Sequence, residues 1–263
     1  ACLDSLAAQT LGDHEVVAVD DGSGDGSGEF LLARAGTDSR LRVVRTPRRG
    51  LVSALSLALT EARAPLVARM DADDVARPSR LALQAERLER DTAVDILGCR
   101  VALVSSPGFV AGEGMRAYVE WQNSLVDHDA MARDRFVESP LVHPSVAMRT
   151  ATLRRLGGWR DFDGPEDYDL WLRAARAGSP ASSRCSSSAV ASPTEPPSHS
   201  VLVAASTLRK PCAPPPSGSW RRGSRSSASC PTRSPRTAPP SSSSPRAWPG
   251  TRGGSPPGPP GAG

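Results

Sequence analysis

Short β-branched apolar runs alternate along the N-terminal part of the chain with stretches whose apolar positions recur every three to four residues. The runs predict strands buried on both faces, and the periodic stretches predict amphipathic helices. Leu3 and Leu6 mark a helix over residues 2–10, a turn follows at Gly12-Asp13, and Val16-Val17-Ala18-Val19 forms the first strand. Residues 29–35 predict a helix and 41–45 a strand; 50–63 predict a helix with Leu51, Leu55, Ala58 and Ala62 on one face, and 66–70 the next strand. Pro78 opens a further helix in which Leu81, Ala85 and Leu88 face one way and Arg80, Gln84 and Arg87 the other. Beyond it a strand is expected over 96–104, helix over most of 115–137, a strand over 141–148 and a helix over 166–177. Such a βαβ series predicts an α/β fold: a Rossmann-like open mixed sheet, mostly parallel, with helices on both faces.

Composition changes this picture only past Gly178. Residues 1–178 carry 22 basic against 27 acidic residues, whereas 179–263 carry 10 against 1, so the overall charge of +4 and basic pI belong to the tail. The folded part is therefore no nucleic-acid binder by charge. In the tail, Pro and Ser make up 40 of 85 residues, which predicts a disordered low-complexity segment over 179–263 beside a folded domain over 1–178. A single Lys (Lys210) and a single Asn (Asn123) amid abundant Arg, Ala, Gly and Pro suggest a GC-rich gene. A shift of reading frame shortly after Ala177 and a genuine Ser/Pro/Arg-rich tail are the two explanations weighed. The five cysteines form no CxxC pair and support neither a disulfide framework nor a zinc site. No apolar run reaches the roughly 18 residues of a membrane span and no leader is visible, so the expectation is a cytoplasmic protein, with peripheral placement at the inner membrane face as a variant.

The chemistry lies where strands end. Asp20-Asp21-Gly22-Ser23 follows the first strand and Asp71-Ala72-Asp73-Asp74 follows the strand over 66–70. In parallel sheets ligands bind beyond the carboxyl ends of the strands, and carboxylates crowded there invite a divalent cation. Hard oxygen ligands suit Mg²⁺ or Mn²⁺ sharing its shell with substrate phosphates, while a flanking acid bonds a ribose hydroxyl. Taken singly, each motif also reads as a solvated acidic turn. A calcium loop matches at Asp21, Ser23, Asp25 and Gly26 but has Leu32 where its last ligand belongs. Asp163 and Glu166 are spaced as a capping box, leaving Asp167 in the first helical turn as a carboxylate able to take a proton from a hydroxyl. Trp171, four residues on, is core or a platform for a sugar ring. His143 before Pro144-Ser145 bonds structurally or contacts a ligand, and Arg48-Arg49-Gly50 at a helix start could meet a pyrophosphate.

Taken in order, Val17-Ala18-Val19-Asp20-Asp21-Gly22-Ser23, Arg48-Arg49-Gly50, Arg69-Met70-Asp71-Ala72-Asp73-Asp74, Pro78-Ser79-Arg80-Leu81, Val142-His143-Pro144-Ser145 and Gly157-Gly158-Trp159-Arg160, with Pro165-Glu166-Asp167-Tyr168 after it, resemble the family 2 glycosyltransferases of GT-A fold. The resemblance implies inverting transfer from a nucleotide-diphosphate sugar, a UDP-sugar favoured, to a glycan, lipid-linked or other hydroxyl acceptor. It implies Asp20 or Asp21 on the nucleoside base, Asp71 on the ribose or uridine, Ser23 and Arg49 nearby, Asp73 on the Mn²⁺ or Mg²⁺, and Asp167 as base. Asp74, His143, Glu166 and Trp171 are then further contacts at the donor or acceptor. Two departures are expected to matter. The chain starts in the helix after the strand that usually opens the family, so a central strand is expected to be missing, and the tail stands where relatives complete the acceptor side. An inactive fragment and a sugar nucleotidyltransferase-like domain are the competing readings; a receiver-type signalling domain would need a Lys that residues 1–178 lack.

Overall fold

The computed structural model describes residues 1–104, 111–182, 188–191 and 200–206, all within a unit spanning Ala1–Pro211. The early alternation is found as expected: α1 (Cys2–Ala7), β1 (His14–Asp21), α2 (Ser27–Ala35), β2 (Leu41–Thr46), α3 (Leu51–Glu61) and β3 (Leu66–Asp71). There follow β4 (Val75–Ala76), α4 (Arg80–Arg90), β5 (Ile96–Leu97), β6 (Arg100–Leu103), α5 (Glu113–Ser124) and α6 (His128–Asp134). A 3₁₀ turn (His143–Ser145) leads into β7 (Ala147–Arg149), α7 (Thr150–Arg155), α8 (Glu166–Arg176), β8 (Ala181–Ser182), β9 (Ser188–Ala191) and β10 (Ser200–Ser206).

A seven-stranded sheet in the order β2-β1-β10-β3-β7-β5-β8 carries the core, and β4-β9-β6 form a small second sheet. Five strands of the large sheet run one way; β10 and β7 run against them. Side chains alternate across a strand, so β1 divides its residues between two cores. Val16 and Ala18 pack with Leu6, Leu31, Leu81 and Leu88 beneath α1, α2 and α4. Val17 and Val19 pack with Leu55, Leu59, Leu153, Trp159 and Leu170 beneath α3, α7 and α8.

Four expectations change. The strand over 96–104 is two strands in different sheets, and the one over 141–148 starts as a 3₁₀ turn because Pro144 has no N–H for a ladder. Arg80 and Gln84 do not face solvent: both are 1% exposed. Arg80 donates to the Arg69 carbonyl at 2.8 Å, and Gln84 donates to the carbonyls of Leu97 at 2.9 Å and Ser145 at 2.8 Å. These carbonyls lie in β3, at the end of β5 and in the 3₁₀ turn, and buried donors of this kind are held by such bonds.

The fourth change is in the middle of the sheet. The position between β1 and β3 is held by β10, which pairs antiparallel with both; Val203 stands opposite Val17 on one side and Arg69 on the other. Three strands thus lie beyond Gly178, inside the segment read as low-complexity. Residues 207–263, the bulk of that expectation, lie outside the described residues. Among the described residues no helix is long and apolar enough to cross a membrane.

Candidate functional site

The register of β10 fixes where the two acidic tips stand. Val201 is opposite both Val19 and Asp71, so the ends of β1 and β3 lie at one sheet edge, separated by one strand. That places them roughly 10 Å apart, two inter-strand spacings. The carboxylates are therefore not crowded into one cluster, which corrects the repulsion argument for a shared cation. Each tip has its own local partners.

At the β1 tip, strand alternation sends Asp20 to the α2 side and Asp21 to the α3 side. Asp20 is 1% exposed; its Oδ1 accepts the Ser23 N–H at 2.9 Å and its Oδ2 the Arg45 Nε–H at 3.1 Å. Burial alone would raise its carboxyl, but the bonds from Ser23 and Arg45 outweigh burial and hold it below the ordinary range. Gly28 of α2 lies directly over this pair: a Cβ there would meet Asp20 Oδ2 and stand 2.7 Å from Arg45 Nη2. Gly22 is needed twice over, with φ +73° and an added Cβ 2.7 Å from the Arg48 nitrogen. Asp21 is 2% exposed and accepts the backbone N–H groups of Arg49 at 2.8 Å and Gly50 at 2.7 Å. Gly50 is the N-cap of α3 and offers no side chain, so Asp21 caps that helix from across the sheet edge. The backbone donors expected to meet a pyrophosphate at Arg49 and Gly50 are thus engaged, whereas the Arg49 side chain is exposed and Ser23 half-buried.

At the β3 tip, Arg69 and Asp71 share the face of Val67, the face that α8 and Trp159 cover. Arg69 is 3% exposed, forms an ion pair with Asp71, and its Nε has no hydrogen-bond partner. Asp71 is partly exposed, Asp73 half-buried and Asp74 buried. Cys2 donates to the Asp71 carbonyl at 3.2 Å, and burial, then the Asp74 charge, push its thiol up to about 12, so it stays protonated.

Facing this tip, α8 begins at Glu166 with Pro165 as N-cap and no side-chain cap, so the capping box read at Asp163 and Glu166 does not form. Glu166 is drawn instead to His143, with Nδ1 and Oε1 3.3 Å apart. That bond, before the opposing cost of burial, holds the Glu166 carboxyl below its ordinary value. His143 is 8% exposed and accepts the Trp159 indole N–H at 2.9 Å. Burial, then the Arg69 charge, hold it below the usual imidazole value. Trp171 is 5% exposed, in the core edge-on to His143, which rules it out as an open platform. Asp167 is half-buried; the single Ser139 hydroxyl proton is shared between the Leu141 carbonyl at 3.2 Å and Asp167 Oδ2 at 3.4 Å. Burial, then the charges of Glu138 and Asp167, push the Tyr118 phenol up.

Sequence reading passed over Ser139, Gly28 and Tyr118, and it quoted Arg69 and Trp159 within motifs without giving them a role. Arg69 left a signal, being a charge inside an apolar strand. Among the described residues no group of three or more His, Cys, Asp or Glu is placed to cage a metal. The hard carboxylates of the β3–β4 turn fit instead a cation that shares its shell with a ligand's phosphates.

Residues 1–155 match the family model for Glycosyl transferase family 2. The chain is 27% identical over 199 residues to the bifunctional glycosyltransferase pgtA of Dictyostelium discoideum, covering 65% of this chain and 26% of that one. It is similar to the mannosyltransferase PcManGT of Pyrobaculum calidifontis, solved with GDP-Man and Mn²⁺, at 25% identity and TM-score 0.54, over 72% of this chain and 51% of that one. The fold is also that of S. aureus TarS 1-349, solved with UDP-GlcNAc: TM-score 0.57 at 20% identity, over 74% of this chain and 54% of that one. The chain thus spans about half the length of these solved relatives.

Proposed function

The chain belongs to glycosyl transferase family 2, and on that premise we propose that it moves a sugar, with inversion, from a nucleotide-diphosphate sugar to an acceptor hydroxyl. The observation that supports this reading is a chain of contacts at the β3 tip: Asp71 pairs with Arg69, the Arg69 charge acts on His143, and His143 reaches Glu166 in the first turn of α8, next to Asp167. The relatives solved with GDP-Man or UDP-GlcNAc support a nucleotide-sugar donor. UDP is the first nucleotide to test.

Asp167 acts as general base. It takes the proton of the acceptor hydroxyl while that oxygen bonds to the anomeric carbon on the face opposite the breaking bond to the diphosphate. Asp71 contacts the nucleotide's ribose or uridine, and Asp73 holds the divalent cation. A bound Mn²⁺ or Mg²⁺ supplies positive charge to the leaving diphosphate. Ser23 and the Arg49 guanidinium line the nucleotide, on loops that Asp20 and Asp21 hold in place. The acceptor is a glycan, a lipid-linked sugar or another hydroxyl compound.

Calorimetric titration with UDP and with GDP, each with and without Mn²⁺, tests the donor half. Metal-dependent binding that Asp73→Asn abolishes is the expected result. A folded chain that binds neither nucleotide would make this chain an inactive member of its family.

A further inference from the structure

The proposed base sits on a helix that does not cap itself, so something else must fix its first turn. The candidates are few. Pro165 supplies no side-chain cap, and the first-turn bond from the Asp169 N–H to the Pro165 carbonyl is 3.2 Å long. Among the described residues four side-chain bonds reach the turn: His143 to Glu166 at 3.3 Å, Ser139 to Asp167 at 3.4 Å, the Tyr168 hydroxyl to the Arg135 carbonyl at 2.6 Å, and Arg173 Nε–H to Asp169 at 2.7 Å. Of these, the bond from His143 is the one that runs back to the strand carrying Asp71.

The path can be followed atom by atom. The Arg69 N–H donates to the Val146 carbonyl at 2.8 Å, which ties β3 to the residue after the 3₁₀ turn. Ser145 closes that turn through its hydroxyl on the Val142 carbonyl at 2.6 Å, and Gln84 holds it from α4 at 2.8 Å. His143 projects from this braced turn into a space closed by Trp159, 5.8 Å away between ring centroids, and by the edge of Trp171 at 5.9 Å.

The tautomer follows without any choice of hydrogen positions. An indole N–H can only donate, so His143 Nε2 must be the bare nitrogen at its 2.9 Å contact with Trp159. The ring proton then lies on Nδ1 and points to the Glu166 carboxylate. Protonating Nε2 would set two donors against each other in a buried site, so the ring stays neutral and the bond keeps its direction.

We infer that His143 is a positioning residue of the proposed transferase. Locked in one tautomer by Trp159, it grips Glu166 and thereby fixes the α8 turn that carries Asp167 against the β3 end that carries Asp71. It contacts neither donor nor acceptor. This rests on Asp167 as the base, and the experiment separates the two.

Long-range ¹H–¹⁵N spectra of the whole chain report the tautomer directly; Nδ1–H between pH 5.5 and 8 is expected, and Nε2–H overturns the inference. Hydrogen exchange then compares the parent with His143→Leu, which fills the space without a donor, and His143→Asn, which keeps a donor near Nδ1. The Asp169 amide should lose about tenfold protection in His143→Leu and regain most of it in His143→Asn. Equal protection in all three overturns the inference, and both readouts stand even if no transfer is detected. Where transfer is measured, His143→Leu should lower kcat about 10- to 100-fold, as loss of supporting partners does elsewhere, with the donor KM within twofold. A donor KM that rises with the loss would make His143 a direct contact and overturn the assignment.

Discussion

Asp21→Asn is the sharpest perturbation of the β1 tip, because it keeps the shape of a 2% exposed side chain and changes only charge and donor pattern. The two carboxylate oxygens each accept a backbone N–H, from Arg49 at 2.8 Å and Gly50 at 2.7 Å. An amide keeps one acceptor and turns an N–H₂ donor toward the other N–H, so one bond is lost and a buried donor is left unpaired. Hydrogen bonds to charged groups contribute about 1.5–3 kcal/mol each, and an unsatisfied buried group costs about 1–3 kcal/mol. The carboxylate's interaction with the positive end of α3 adds about 0.3–1 kcal/mol. Because these terms overlap, a loss of about 2–4 kcal/mol is expected, which for a unit of this size lowers Tm by roughly 4–16 °C. Urea titration followed by circular dichroism measures it. A change below about 0.5 kcal/mol, the range of ordinary surface substitutions, would refute the claim that Asp21 caps α3. Nucleotide binding in the same variant separates the two roles. Affinity lost with stability unchanged would mean that Asp21 touches the nucleotide instead.

Gly28→Ala drives a methyl into the Asp20–Arg45 pair and should cost about 1–3 kcal/mol, read from the urea midpoint. Val203→Pro removes a ladder N–H from β10, which is paired on both sides, and should cost about 3 kcal/mol or more; an unchanged thermal transition would show that β10 adds nothing to the sheet. Acid should destabilise the chain in two steps. His143 is held below its usual value in the folded state by burial and then Arg69, so the unfolded chain takes up the proton first. Stability therefore falls as pH drops below about 6.5, the free imidazole value, until the folded ring also titrates. Glu166, held low by His143, contributes stability above the free carboxyl range that is lost as pH falls through its lowered value. Urea midpoints measured from pH 8 to 4 should show both limbs, and His143→Asn should flatten the upper one.

The first half of the fold was legible because β1 and β3 are apolar runs of strand length and α3 has a clean helical stripe. Their order alone placed both acidic tips at one edge. What failed was counting faces by residue type. Arg80 and Gln84 read as a solvent face, yet they are buried, donating to the carbonyls of Arg69, Leu97 and Ser145. Arg69 was given no role inside an apolar run although strand parity puts it on the α8 face with Asp71. The strand β10 was hidden by its surroundings: Val201-Leu202-Val203-Ala204-Ala205 is an apolar run, but the Ser- and Pro-rich composition around it masked the local pattern.

The sequence presents its two acidic tips as equivalents, and the structure distinguishes them by what their oxygens already do. On β1, all four carboxylate oxygens of Asp20 and Asp21 except one lone-pair set each are committed to Ser23, Arg45, Arg49 and Gly50, in an almost dry environment. A ligand asking either acid for its charge would have to break a helix cap or an ion pair. On β3, Asp71 retains 35% of its side-chain exposure while its charge is balanced by a buried guanidinium on the same strand face. Asp20 and Asp21 are thus suited to shaping loops, whereas Asp71 keeps an edge open to solvent. On this division, substitutions at Asp20 or Asp21 should register first in stability, and those at Asp71 or Asp73 first in binding.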